Sequence, residues 1–206
     1  MPSQKSNTQP TDAARPAKRE RGRLRVAAIL EAGAQVFAEK GYEAATMTEI
    51  AARAETAIGS LYRFFPSKES LADALLESYA DLAVASLATM QSQAATWTSR
   101  QVADALVDFV LALQNKRQFV LALLDARAGD RRLLFRASMR AGIAAILRAA
   151  TPGLTKSKAE TMAPVLIEVL KSVAALSSTE RKFSQRWLGE LRDMVQAYLD
   201  QAAVER

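Results

Sequence analysis

Residues 46–76 read TMTEIAARAETAIGSLYRFFPSKESLADALL: two short helical segments, a tight turn between them, and the start of a third helix. Thr46-Met47-Thr48-Glu49 fits a capping box, in which the Thr46 hydroxyl accepts from the Glu49 amide and the Glu49 carboxylate reaches back to the Thr46 amide. Ile50, Ala51 and Ala54 give the first segment a small apolar face. The second spans about Ala57 to Phe64, with Leu61 and Phe65 one turn apart on its inner side. Pro66 disfavours helical geometry at Phe65 and closes it. Ser67 is placed to cap a long helix that begins at Lys68. Two short helices joined by a short turn make a helix-turn-helix.

The rest of the chain narrows what this motif can serve. With 206 residues, half of them apolar, there is enough chain for one or two domains and a sizeable core. It has no cysteine and no histidine. Disulfide frameworks, thiolate nucleophiles, Cys-ligated zinc and histidine-based catalysis or metal binding are therefore excluded, and no cofactor or metal is expected. Residues 1–25 contain Lys5, Arg15, Lys18, Arg19, Arg21, Arg23 and Arg25 against Asp12 and Glu20, which accounts for five of the six net positive charges. A basic arm beside a helix-turn-helix points to a phosphate-bearing partner, although a solvated tail has the same composition. No apolar run approaches the ~20 residues that cross a bilayer, and the N-terminus lacks the apolar core of a signal peptide. A cytoplasmic protein is expected.

In chain order, residues 1–20 are polar and aperiodic and read as a flexible basic arm. Arg21–Arg25 leads into a first helix carrying Val26, Ile29, Leu30, Gly33 and Phe37, with Gly41 as its C-terminal cap. The helix from Lys68 should run to about residue 90. Ser99 is placed to cap the next helix, Asn115-Lys116 to break it, and Phe119 to begin another that ends near Gly129. A basic helix follows from Asp130 to the stop at Thr151-Pro152-Gly153. Two amphipathic helices, roughly 157–177 and 181–203, finish the chain, with Pro164 predicting a kink or a late start near Ala163 in the first. The fold class is all-α with about nine helices: a basic arm over 1–20, a DNA-binding domain over 21–67, and a helical domain over 68–206.

If Leu61 and Phe65 face inward, Ile58, Ser60, Tyr62 and Arg63 face outward, toward a major groove. Arg63 suits guanine or phosphate, Ser60 either, Tyr62 a phosphate, and Ile58 only a thymine methyl. Lys68, in the first turn of its helix, suits a phosphate, as do Arg23 and Arg25. Two other classes compete. A helical-bundle enzyme would need inward carboxylates, but Glu31, Glu77, Asp81, Asp104 and Asp108 sit mostly on polar faces. A scaffold would use the motif for protein contacts alone.

The stretch 46–76 resembles the N-terminal domain of TetR-type (tetracycline-repressor-like) transcriptional regulators. The resemblance is carried by Thr46, Ile50-Ala51, Ala54, Gly59, Leu61-Tyr62, Phe65, Lys68, Glu69 and Leu71, with Ala38-Glu39-Lys40-Gly41-Tyr42 upstream. It implies a non-enzymatic, homodimeric repressor on a palindromic operator, with contacts at Thr46, Thr48, Ala57, Ile58, Ser60, Tyr62, Arg63 and Lys68. Two positions depart from the family. Glu55 stands where a turn glycine is usual, and a left-handed conformation there would cost it about 1 kcal/mol or more. Thr56-Ala57 replaces an apolar residue followed by Ser or Thr, which moves the capping oxygen back one place or removes it.

The resemblance also implies a small effector held between the middle helices. That pocket would draw on Phe109, Leu113, Phe119, Leu123, Phe135 and Met139, and so favours an apolar or aromatic molecule. The last two helices would pair with their symmetry mates as a four-helix interface through Leu166, Val169, Leu170, Val173, Leu188, Leu191, Val195 and Tyr198. For each of these residues, filling its own core is the simpler role.

Overall fold

The computed structural model describes residues 14–126, 130–175 and 181–204, with side chains over 20–113, 133–172 and 185–203. Among them the architecture is all-α: α1 (Ala14–Ala44), α2 (Met47–Arg53), α3 (Ile58–Phe64), α4 (Lys68–Gln93), α5 (Ser99–Ala126), α6 (Asp130–Ala150), α7 (Lys156–Ala175) and α8 (Arg181–Val204), with a 3-10 turn at Ala94–Thr96. Packing divides the chain into two units, Met1–Leu75 and Leu76–Arg206. The first two turns of α4 thus belong to the first unit, where Leu71 and Leu75 are buried. The sequence alone placed that boundary at Lys68.

In the first unit, α1 starts at Ala14 rather than near Arg21. Residues 14–21, ARPAKRER, contain good helix formers. Pro16 falls in the first turn, where its missing N–H has no intrahelical partner to lose. Gly41 leaves helical geometry at φ 77°, ψ 168°, so the chain turns there as its glycine predicts, and a further turn continues to Ala44. The core is built from Ile29, Val36, Phe37, Ile50, Leu61 and Leu71, each at most 2% exposed; burying such a side chain stabilises by about 1.5–3 kcal/mol. Tyr42 is half-buried, with its ring 5.6 Å from that of Phe37. The caps form as expected. Glu49 N donates to Thr46 Oγ1 at 3.2 Å and Thr46 N to Glu49 Oε2 at 3.2 Å. Ser67 Oγ accepts from Ser70 N at 3.1 Å, and Ser67 N donates to Ser70 Oγ at 3.1 Å.

In the second unit, the expected break at Asn115-Lys116 is absent, and α5 is one helix from Ser99 to Ala126. Asn and Lys each weaken a helix by only a few tenths of a kcal/mol, and no glycine or proline stands there to stop it. Its cap is Thr98 rather than Ser99. Gln101 N donates to Thr98 Oγ1 at 3.3 Å and Thr98 N to Gln101 Oε1 at 2.8 Å, a second capping box. Helix α7 starts at Lys156 and runs through Pro164, with Thr155 Oγ1 accepting from Lys158 N at 3.2 Å. That cap and the surrounding packing outweigh the one ladder bond the proline removes. Helices α7 and α8 both pack on α5, and α6 packs on α7. Helix α6 crosses α4 at Gly142, where an added Cβ would lie 2.7 Å from Leu87 Cδ1. A larger residue there would make Leu87 shift.

Candidate nucleic-acid interface

The turn between α2 and α3 is held by backbone bonds: Ala54 N to Ile50 O at 2.9 Å, Glu55 N to Ala52 O at 3.2 Å and Thr56 N to Ala51 O at 3.0 Å. Closing it puts Glu55 at φ 49°, the one non-glycine positive φ among the described residues. The left-handed geometry is thus adopted despite the acidic side chain. Ala57 is the N-cap of α3 and provides no side-chain hydrogen bond. The capping oxygen has been lost, and Thr56 does not replace it.

The exposed surface of α3 is unusually apolar. Ile58 is 40% and Tyr62 48% exposed, while Leu61 is fully buried. Ala57, Gly59 and Arg63 are exposed, and the Arg63 guanidinium lies 5.2 Å from the centroid of the Phe64 ring. Ser60 departs from expectation: the residue is half-buried, and its hydroxyl is buried with no hydrogen-bond partner. Thr46 and Thr48 are exposed, but the Thr46 hydroxyl is engaged with Glu49 at 3.0 Å. Thr48 is the freer of the two.

Lys68 also departs from expectation. Its Nζ donates to three main-chain carbonyls, of Tyr42 at 2.8 Å, Glu43 at 3.0 Å and Ala45 at 3.2 Å, and lies 4.6 Å from the Tyr42 ring centroid. An ammonium has three hydrogens, and all are engaged. It closes the C-terminal end of α1, where carbonyls carry partial negative charge. Sequence reading missed this clamp because its acceptors are main-chain atoms more than 20 residues upstream.

Two ion pairs join α1 to α2, Lys40 with Glu49 and Arg53 with Glu39. The Lys40 hydrogen bond, reinforced by Thr46, holds the Glu49 carboxyl below its ordinary value of 4.5. The Arg53 hydrogen bond does the same for Glu39, and Arg53 in turn is raised by Glu39. On the N-terminal part of α1, Arg23 and Arg25 are exposed, and Arg23 pairs loosely with Glu20 at 3.5 Å.

In the second unit, Phe109 and Leu113 are buried at 7% exposure each, and Phe135 and Met139 are half-buried. The Phe135 ring is 5.7 Å from that of Tyr79. The side chains of Phe119 and Leu123 lie outside the described residues, as does that of Val173. Of the expected interface residues, Leu166, Leu170, Leu191 and Val195 are at most 4% exposed within their own chain; they are core. Val169, Leu188 and Tyr198 are half-buried, while Val165 and Met194, on the same apolar stripes but outside the expected interface, are 46% and 50% exposed. Asp104 and Asp108 are tied to Arg192 at 3.2 and 2.6 Å, and Arg100 pairs with Asp104 and Asp193. These carboxylates form a ladder between α5 and α8, not a catalytic cluster. Among the described residues no helix is long and apolar enough to cross a membrane.

A capped short helix, a tight turn and a second short helix with an exposed face, beside exposed arginines, define a helix-turn-helix DNA-binding protein. Comparison with known proteins agrees. Residues 29–75 match the family of bacterial regulatory proteins described as tetR, and residues 98–199 the tetracyclin repressor-like C-terminal domain. The chain belongs to the TetR family of transcriptional regulators, which are not enzymes. It is similar to the HTH-type transcriptional repressor DhaR of Mycobacterium sp. (strain GP1), 33% identical over 100 residues, 48% of this chain and 44% of that protein. It is also similar to the repressor KstR2 of Mycobacterium tuberculosis, 45% identical over 53 residues, 26% of each. These matches span less than half of either curated relative. A putative TetR-family regulator from Mesorhizobium loti shares the fold at TM-score 0.65 and 18% identity, over 89% of this chain and 97% of its own. A TetR-like regulator from Rhodococcus sp. RHA1 does so at 0.62 and 22%, over 88% and 97%.

Proposed function

We propose that this protein is a homodimeric repressor that binds a palindromic operator and is released by a small apolar or aromatic effector. The observation that carries the DNA-binding part is the outward face of α3, where Ile58, Tyr62 and Arg63 stand exposed on a helix whose inner side is anchored by Leu61. Ala57 and Thr48 flank that face. Arg23 and Arg25 on α1 add phosphate contacts that position the motif without reading sequence. Lys68 is assigned to holding α1 and α4 together, and the buried Ser60 hydroxyl is not counted among the contacts. The effector reading is supported by the aromatic and aliphatic content of Phe109, Leu113, Phe135 and Met139. Similarity to the A-factor receptor protein of Streptomyces griseus, 45% identical over 49 residues, is in keeping with a ligand-responsive regulator but covers only 18% of that protein.

The test is footprinting on the DNA upstream of the protein's own gene, with binding measured across a salt series. Salt-sensitive protection of a palindrome is expected. Arg23→Ala with Arg25→Ala should weaken binding to all sequences and make the slope of log affinity against log salt shallower by about two. Binding at non-specific strength only would favour a scaffold instead.

A further inference from the structure

We infer that α3 reads thymine methyl groups, with Ile58 as the specificity-determining contact and Gly59 as the clearance that lets the helix approach the bases. This rests on the DNA-binding reading above and names the chemistry that reading leaves open.

The argument begins with what α3 lacks. A groove-reading helix usually presents hydrogen-bonding side chains to base edges. Here Ala57 and Gly59 have none, and the Ser60 hydroxyl is buried. The Tyr62 hydroxyl and Arg63 are the polar groups left on the exposed part of the helix, and the guanidinium of Arg63 is drawn beside Phe64. Ile58 is 40% exposed, a branched aliphatic side chain that the first unit covers only in part. Among the base-edge features of the major groove, the thymine C5 methyl is the apolar one, and an aliphatic side chain gains by covering it.

Gly59 gives an independent reason. It lies in α3 with helical backbone, and a Cβ added there would meet nothing within 4 Å. Alanine would fit and would favour the helix. Neither a turn nor internal packing accounts for glycine, whereas a surface that must approach base pairs closely does.

The test uses the full chain and a duplex selected by it from random-sequence DNA. That duplex is resynthesised with deoxyuridine replacing thymine at one position per half-site in turn, which removes only the methyl. At one or more thymines, the replacement should weaken binding about fourfold for each half-site changed, the value of one buried methyl-sized group. Ile58→Ala should bind the thymine and deoxyuridine duplexes equally. Gly59→Ala should keep or raise Tm while weakening binding to the selected duplex. The inference is overturned if no thymine responds, if Ile58→Ala preserves the difference, or if Gly59→Ala binds as wild type does. Enrichment of no sequence at all would overturn the DNA-binding reading itself, and this contact with it.

Discussion

All three hydrogens of the Lys68 ammonium point at carbonyl oxygens of the Tyr42–Ala45 segment, so its charge stabilises the join between α1 and α4. Charge-assisted hydrogen bonds contribute more than neutral ones, but water can replace a lost donor at this partly exposed site. Lys68→Ala should therefore lower stability by about 2 kcal/mol in urea denaturation. The salt slope of DNA binding should stay unchanged in the folded variant; a slope shallower by about one would return Lys68 to the phosphate contacts. Glu55 shows the opposite case, a side chain that works against its backbone. At φ 49°, Glu55→Gly should stabilise by about 1 kcal/mol, and Ala57→Ser should add a similar amount by restoring an N-cap. A loss of stability in either variant would mean that the turn is not strained as its geometry indicates. The caps at Thr46 and Ser67 were legible because donor and acceptor lie three residues apart. Lys68 and Ser60 were not, since tertiary packing decides which way each side chain turns.

At the scale of elements, α1 and α2 share an apolar contact inside and two ion pairs outside. Lys40–Glu49 and Arg53–Glu39 both lower a carboxyl below its ordinary value of 4.5. The sign follows from linkage. A carboxyl depressed in the folded state stabilises fully above its unfolded value, and that contribution is lost as pH falls through the folded value. The first unit should thus lose stability below pH 4.5, and Glu39→Gln with Glu49→Gln should flatten the pH dependence of its unfolding there, with the loss of stability seen at neutral pH and vanishing in acid. Both pairs are solvent-exposed, so the effect should be small and shrink with salt. An unaltered acid limb in the double variant would show that neither pair matters. Element type and order were largely legible, because 3.6-residue apolar periodicity is strong in α5, α7 and α8 and turn signals bound the helices between. The misplaced boundaries have separate causes. Asn115-Lys116 is too weak a signal to stop a helix, and Thr98, not Ser99, closes a capping box with Gln101. The Thr155 cap carries α7 through Pro164, whereas the glycine at Gly41 and the Thr151-Pro152-Gly153 stop could not be overridden.

For the whole molecule, the question is what remains of α7 and α8 once their own core is built. The apolar stripes predicted two partners for the same residues, and the inner half of each stripe is already occupied: Leu166, Leu170, Leu191 and Val195 are buried by their own chain. What remains lies beside it, one turn apart on each helix. Val165 and Val169 sit on α7, and Met194 and Tyr198 on α8, with Val165 and Met194 about half exposed. A single exposed apolar residue needs no explanation, but an i, i+4 apolar pair left over on each of the two helices is the kind of surface that a two-fold dimer would use. Val165→Glu with Met194→Glu should convert a dimer to a monomer in equilibrium sedimentation, leave the helical content intact, and weaken operator binding by removing the second half-site. Leu166→Ala should instead lower folding stability by about 2–5 kcal/mol through the cavity it leaves, with the surviving folded protein still dimeric. If the double glutamate variant sediments as wild type does, the two copies meet elsewhere and α7 and α8 hold their exposed residues for some other reason.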